Sequence, residues 1–153
     1  MTKTRSAIRP NSQSKTNEMD EYLMTTITLG IETETLLALL MHIDGTINRK
    51  GDGSMKIDNK MFMGITDEKI FQELMKYITD EFKDFFGKVY DLPNKQGKTC
   101  SIEIILGKDN GTDGVKFIYG SDSMGPPRPV AEFVEAAILI TNPWFYKQKK
   151  DRK

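Results

Sequence analysis

One cysteine, Cys100, and one histidine, His42, are all that these 153 residues offer of the side chains that most often carry nucleophilic and metal chemistry. A single cysteine excludes an internal disulfide and any multi-cysteine zinc site, and it points to a reducing, cytoplasmic setting. A single histidine excludes histidine-rich metal sites and paired-histidine acid–base schemes. Net charge is also missing: 22 basic side chains cancel 22 acidic ones. That balance removes the simplest argument for a nucleic-acid partner. No stretch holds the ~18 unbroken apolar residues of a membrane span, and none near the start has signal-peptide length. The Ser- and Thr-rich start lacks the amphipathic period of a transit peptide. No internal repeat is visible.

The length fits one domain, large enough to build a core without metal or disulfide help. Its charge is unevenly spread. Residues 1–21 carry a net charge of +1 and the last seven residues +4, leaving a body of −5 over residues 22–146. The first 17 residues hold little apolar surface beyond Ala7 and Ile8, too little to offset the entropy of ordering, so residues 1–21 read as a disordered arm. Residues 147–153 read as a basic, solvated tail, and the aromatic trio Trp144, Phe145 and Tyr146 before it as core rather than a base-stacking platform.

Between the two ends, Tyr22 to Leu29 is a β-branched and aromatic run that ends at Gly30. The apolar stretch from Thr35 to Ile43 followed by Asp44-Gly45 predicts a strand turning into its hairpin partner, because Asp-Gly tolerates the positive φ angles of a tight turn. Met55 to Asp58 alternates like a short strand. Ile70, Phe71, Leu74, Ile78, Phe82 and Phe85 recur at three- and four-residue steps, which predicts one long helix over residues 67–86, N-capped by Thr66 and closed by Gly87. Alternation from Thr99 to Leu106, a turn-rich stretch from Lys108 to Gly114, and a return over Val115 to Tyr119 predict a second hairpin. Pro129 suits the first position of a last helix, with Val130, Phe133, Val134, Ala137, Ile138 and Thr141 on one face and Asn142-Pro143 as its stop. The order predicts an α+β fold: an antiparallel or mixed sheet of about four to six strands with two main helices packed on one face.

Candidate chemistry is sparse. Cys100 sits in an alternating apolar strand, where a buried thiol is inert, and no motif surrounds His42. Gly97-Lys98-Thr99 matches the end of a phosphate-binding loop, but Leu92 stands where its first glycine belongs and a strand follows where a helix is needed. Asp109, Gly111, Asp113 and Gly114 imitate part of a calcium loop, yet Gly120 occupies the place of the bidentate glutamate, so a hairpin turn explains them better. Glu73, Asp80, Glu81 and Asp84 lie among lysines like a solvated face. Met55, Met61 and Met63 crowd one segment beside Phe62 and are expected in the core. Pro126-Pro127-Arg128-Pro129 is read as a rigid entry into the last helix rather than a proline-rich ligand. The irregular loop of residues 120–128 is the first place to look for function, because loops held by rigid elements tend to carry it. Its candidate interaction residues are Ser121, Asp122, Ser123, Met124 and Arg128.

These residues lean away from an enzyme. They favour a non-catalytic protein-interaction module, such as a neutraliser of another protein or an assembly subunit, with no cofactor and no metal. The expected partner is another protein met through acidic loops, not nucleic acid or membrane, and homo-oligomerisation is left open. The alternative is an enzyme or small-ligand binder with a polar pocket between sheet and helices.

Overall fold

The computed structural model describes residues 22–93 and 95–151; the N-terminal arm and the last two residues of the basic tail lie outside them. Among the described residues four strands come first: β1 (Met24–Ile31), β2 (Glu34–His42), β3 (Thr46–Lys50) and β4 (Met61–Ile65). Helices α1 (Glu68–Met75) and α2 (Asp80–Lys83) follow, then β5 (Lys88–Asp91), β6 (Thr99–Lys108), β7 (Gly111–Gly120) and the 24-residue helix α3 (Arg128–Asp151). The strands form one sheet in the order β4-β3-β2-β1-β6-β7-β5. The fold class is α+β with a mixed sheet, but with seven strands and three helices among the described residues rather than the smaller number expected. All neighbours pair antiparallel except β5, which runs parallel to β7.

The Asp44-Gly45 hairpin forms as the turn chemistry requires. Gly45 has φ +99°, and the Asp44 carboxylate accepts the Thr46 amide at 2.9 Å, which holds its pKa below the usual aspartate range. The β6–β7 hairpin is tighter than expected. Asp109 and Asn110 alone make the turn, and pairing runs from Lys108–Gly111 out to Thr99–Gly120.

The long helix expected over residues 67–86 is broken in two. Thr79 adopts extended backbone and its Oγ1 accepts the Phe82 amide at 3.2 Å, so it caps a second helix instead of continuing the first. The cap of α1 is Asp67, one residue beyond Thr66, with its carboxylate accepting the Lys69 amide at 2.9 Å. Phe71, Leu74, Ile78 and Phe82 are nevertheless all buried, and Phe85 packs against them half-buried.

At the other end of the chain, Pro143 does not stop α3, which continues to Asp151. A proline in a helix interior removes the hydrogen bond to the carbonyl four residues back, here that of the exposed Leu139. What carries the helix past it is tertiary: Phe145 is fully buried and Trp144 packs against the core. Residues Lys147–Asp151 extend α3, and Lys149 reaches Asp58 at 3.4 Å.

The main core joins Phe71, Leu74 and Phe82 with Val130, Phe133 and Ala137 of α3 and with alternate residues of the sheet, Ile27, Leu37, Leu39, Met41, Ile102, Ile104 and Phe117 among them. Phe82 and Phe133 rings meet at 5.1 Å. The nineteen buried side chains of this cluster, the larger ones at about 1.5–3 kcal/mol each, make it the main stabilising unit. A smaller cluster of Ile31, Leu36 and Cys100 lies toward one end of the sheet. The methionines are a correction: Met55, Met61 and Met63 are exposed, not core. Residues 55–58 form no strand; the strand is Met61–Ile65, with Phe62 alone among these large side chains buried.

Candidate interaction surface

Helix α3 carries two apolar stripes. One, through Val130, Phe133, Val134, Ala137, Thr141 and Phe145, is buried. The second, through Ala131, Val134, Ile138 and Leu139 with Glu135 among them, follows the same three- and four-residue steps on a neighbouring flank. This second stripe forms one wall of a groove of about 440 Å³, whose other wall is Leu29, Ile102, Tyr119 and Pro126. Leu139 is 62% exposed on its rim. Neither α1 nor α2 contributes to the lining. Beside the groove lies the Ile31, Leu36 and Cys100 cluster, which shares Leu29 and Tyr119 with it. The connection between β3 and β4 touches the same place: a Cβ on Gly53, whose φ is +89°, would stand 3.0 Å from Ile138 Cδ1 and 3.8 Å from Leu29 Cδ1. Glycine there lets the backbone lie against the groove's end.

Of the five loop residues singled out from the sequence, two are spent on the backbone. Ser121 Oγ accepts the Lys98 amide at 2.9 Å, and Ser121 N donates to Lys98 O at 2.8 Å. Ser123 Oγ accepts the Gly120 amide and donates to its carbonyl, both at 3.1 Å. These bonds, with Asp122 N donating to Gln96 O at 2.9 Å, tie the loop to residues 96–98. Met124, 86% exposed, faces a second depression of about 340 Å³ with Leu92, Pro93, Gln96 and Ser123. Arg128 is an exposed residue of the first turn of α3, paired with Glu132 at 3.0 Å. The structure therefore does not gather the five into one constellation. It sets Met124 in one hollow and Pro126, two residues on, in the other.

The chemical candidates are kept apart or occupied. Ile31 pairs with Cys100 at one end of β1, and Met24 pairs with His42 at the other. Seven strand residues, about 23 Å, separate the thiol from the imidazole. The Cys100 thiol is buried and its pKa is raised, first by desolvation and then by the charges of Glu32 and Asp122. Tyr119 is raised likewise, by burial first and Cys100 second. His42 is partly exposed, with Nδ1 3.2 Å from Asp44 Oδ1. Asp113 accepts the Tyr22 hydroxyl at 2.6 Å and pairs with Lys108 at 3.2 Å. Among the described residues, no group of three or more His, Cys, Asp or Glu side chains is placed to hold a metal ion, and no helix is long and apolar enough to cross a membrane.

Among the described residues, one charged residue is buried outright. Arg49 of β3 has no exposed surface. Its Nε donates to Gly51 O at 3.1 Å, and its Nη1 donates to Ile138 O at 3.2 Å and to Thr141 Oγ1 at 2.7 Å. Nη2 is buried without a hydrogen-bond partner. Desolvation pushes the pKa down to about 10, so the group stays charged at neutral pH. The available signal was the parity of β3, which puts Arg49 on the face of the buried Ile47. The groove left a fainter trace, the second apolar stripe of α3.

No family model matches the chain, and no curated protein matches it.

Proposed function

We propose that this protein is a non-catalytic protein-interaction module, a neutraliser or an assembly subunit, whose partner docks in the groove between α3 and the ends of β1, β6 and β7. The observation that carries the reading is the lining itself: aliphatic and aromatic side chains from a helix and three strands, with Glu135 as its one carboxylate. Shaped apolar surface with a polar rim is what a docking site for a protein segment needs. In this reading the helices cover one face of the sheet, and α3 is left with a free flank.

The surrounding charge favours a partner of stated chemistry. Glu32, Glu34, Asp122, Glu132 and Glu135 are all exposed near this end of the fold. The partner segment that suits them inserts aliphatic side chains into the groove and carries Lys or Arg on its flanks. The loop of residues 120–128 contributes through Pro126 and Met124 rather than through its serines. The reading treats residues 22–146 as one domain with residues 1–21 and 147–153 as appendages. It places the protein in the cytoplasm on the strength of its one, buried, unpaired cysteine.

A second reading has one observation in its favour. A volume of about 440 Å³ lies within the range of small-molecule sites, roughly 300–1,000 Å³, so the groove also suits a small apolar ligand.

Leu139→Glu tests both. The side chain is exposed, so the variant keeps its thermal midpoint while placing a charge at the mouth of the groove. Affinity purification from the native cell, with the wild type and the variant side by side, should recover a protein that the variant loses. A protein recovered equally by both, or by neither, overturns the docking site. Saturable binding of a fluorescent fatty acid, blocked by Leu139→Glu, moves the assignment to the small-ligand reading.

A further inference from the structure

The two edges of the sheet are built in opposite ways. β5, at one edge, is four residues long and carries a charge at each end, Lys88 and Asp91, with Asp91 paired to Lys95. Short, charged strands of that kind keep an edge from pairing with another chain. β4, at the other edge, reads Met-Phe-Met-Gly-Ile and holds neither a charge nor a proline. Phe62 turns inward to meet the Phe145 ring edge-on at 5.8 Å, and Gly64 lies under Trp144. Met61, Met63 and Ile65 point the other way and are 45%, 61% and 76% exposed. Three large apolar side chains on an edge that no described strand pairs with are an invitation to strand addition.

The backbone fixes what can be added. Thr66 N donates to Gly45 O at 2.8 Å, so Thr66 directs its hydrogen-bonding groups toward β3. With the alternation of an antiparallel ladder, Gly64 and Phe62 do the same, and Met61, Met63 and Ile65 direct theirs outward. A second strand running antiparallel to β4 and centred on Met63 engages all three outward residues. The flanking charges select the direction. Lys60 precedes the strand, and Asp67 and Glu68 follow it. Antiparallel apposition of two identical strands brings the basic end of each beside the acidic end of the other, whereas parallel apposition sets like charges together.

We infer that β4 pairs with β4 of a second copy of this chain, antiparallel about a two-fold axis through Met63, so that the two seven-stranded sheets become one. Met63 then faces its own counterpart, and Met61 faces Ile65 of the second copy. An interface this short falls at the small end of specific contacts, so the dimer dissociates in the micromolar range. This surface is distinct from the groove, and Leu139→Glu leaves it untouched.

The test is analytical ultracentrifugation of the full-length protein from micromolar to millimolar concentration. The wild type should show a concentration-dependent monomer–dimer equilibrium. Met63→Lys and Met63→Glu each place like charges face to face on the axis, and each should weaken it at least about tenfold while the thermal midpoint holds. An equimolar mixture of the two should recover a heterodimer. Met63→Cys should form a disulfide-linked dimer under mild oxidation, since directly paired strand residues lie about 5.5 Å apart at Cα, within disulfide reach. A wild type that is monomeric throughout overturns the inference; that is also the result if this chain's own residues 1–21 occupy the edge. A dimer indifferent to both charge variants, or a charge mixture that stays monomeric, overturns it equally.

Discussion

The guanidinium carbon of Arg49 lies 4.2 Å from the centroid of the Phe145 ring, which ties the strand next to the β4 edge to the part of α3 that follows Pro143. Lys149 approaches the same ring at 5.4 Å, so Phe145 holds two cations with no carboxylate within ion-pair distance of Arg49 among the described residues. A buried charge without an ion-pair contact is costly, and what offsets the cost here is two carbonyls, one hydroxyl, an aromatic face and the more distant charge of Asp52.

Two substitutions at this position separate shape from charge. Arg49→Ala leaves a cavity and removes three hydrogen bonds, and should destabilise by about 3–5 kcal/mol. Arg49→Met keeps most of the volume and removes the unpaired charge with its orphaned Nη2, so its cost should be smaller by about 1–2 kcal/mol. Urea unfolding followed by Trp144 fluorescence gives both values. Equal losses would show that the charge itself, not the filled space, holds α3 in place.

How far the residues announced this arrangement depends on how local each signal was. The Asp44-Gly45 turn, the alternation of β6 and the stripe from Val130 to Thr141 are patterns within a few residues, and the structure contains a hairpin, a strand and a helix there. β4 and β5 were invisible because partners distant in sequence make them strands: Phe62 and Gly64 under Phe145 and Trp144, and Lys88–Asp91 beside Val115–Ile118 of β7. The break in the long helix has a local signal, since Thr79-Asp80-Glu81 has the composition of a helix start, but the apolar spacing runs through it unbroken. Of the groove only one wall, the second apolar stripe of α3, leaves a trace in the sequence, because Leu29, Ile102, Tyr119 and Leu139 belong to four separate elements.

Cys100 offers a direct reading of the small cluster at the end of the sheet. Its thiol is buried among Ile31 and Leu36, and desolvation with nearby Glu32 and Asp122 raises its pKa above the ordinary value of 9.0. Thiolate is the reacting form, so alkylation at pH 8 should run at least about tenfold slower in the folded protein than in denaturant. Iodoacetamide labelling followed by intact-mass spectrometry measures the ratio. A rate equal to that of the unfolded chain would mean that the cluster opens on the labelling timescale.

Acid should loosen the connection between β3 and β4 before it touches the core. Asp58 accepts the Lys60 amide at 3.0 Å, the largest cause of its lowered pKa, and reaches Lys149 of α3 at 3.4 Å. Because the folded-state carboxyl titrates below its unfolded value of 3.8, its stabilisation is whole above that value and disappears as pH falls through the lower, folded one. Asp58→Asn keeps an oxygen for the Lys60 amide and loses only the charge. It should therefore cost a few tenths of a kcal/mol near neutral pH, less in high salt, and the difference should shrink toward zero as pH falls through the folded-state value. Thermal midpoints of both proteins at pH 7 and at successive steps below pH 3.8 decide it.

Pro143 is the residue whose removal should strengthen the fold. Its ring takes the amide from a helix interior and leaves the Leu139 carbonyl without its usual donor. One position earlier, the Ile138 carbonyl accepts from Arg49 at 3.2 Å, and Thr141 Oγ1 donates to the Ala137 carbonyl at 2.7 Å. Side chains thus add hydrogen bonds to the two carbonyls just before the one that the proline leaves without its donor. Pro143 is exposed, so alanine there opens no cavity, restores the missing amide and should raise stability by about 1 kcal/mol or more, up to the ~3 kcal/mol typical of an interior proline. If Pro143→Ala instead lowers the unfolding midpoint, the bend made by the proline is what brings Ile138 and Thr141 within reach of Arg49. In that case the double variant with Arg49→Met should lose far less than the sum of the two single changes.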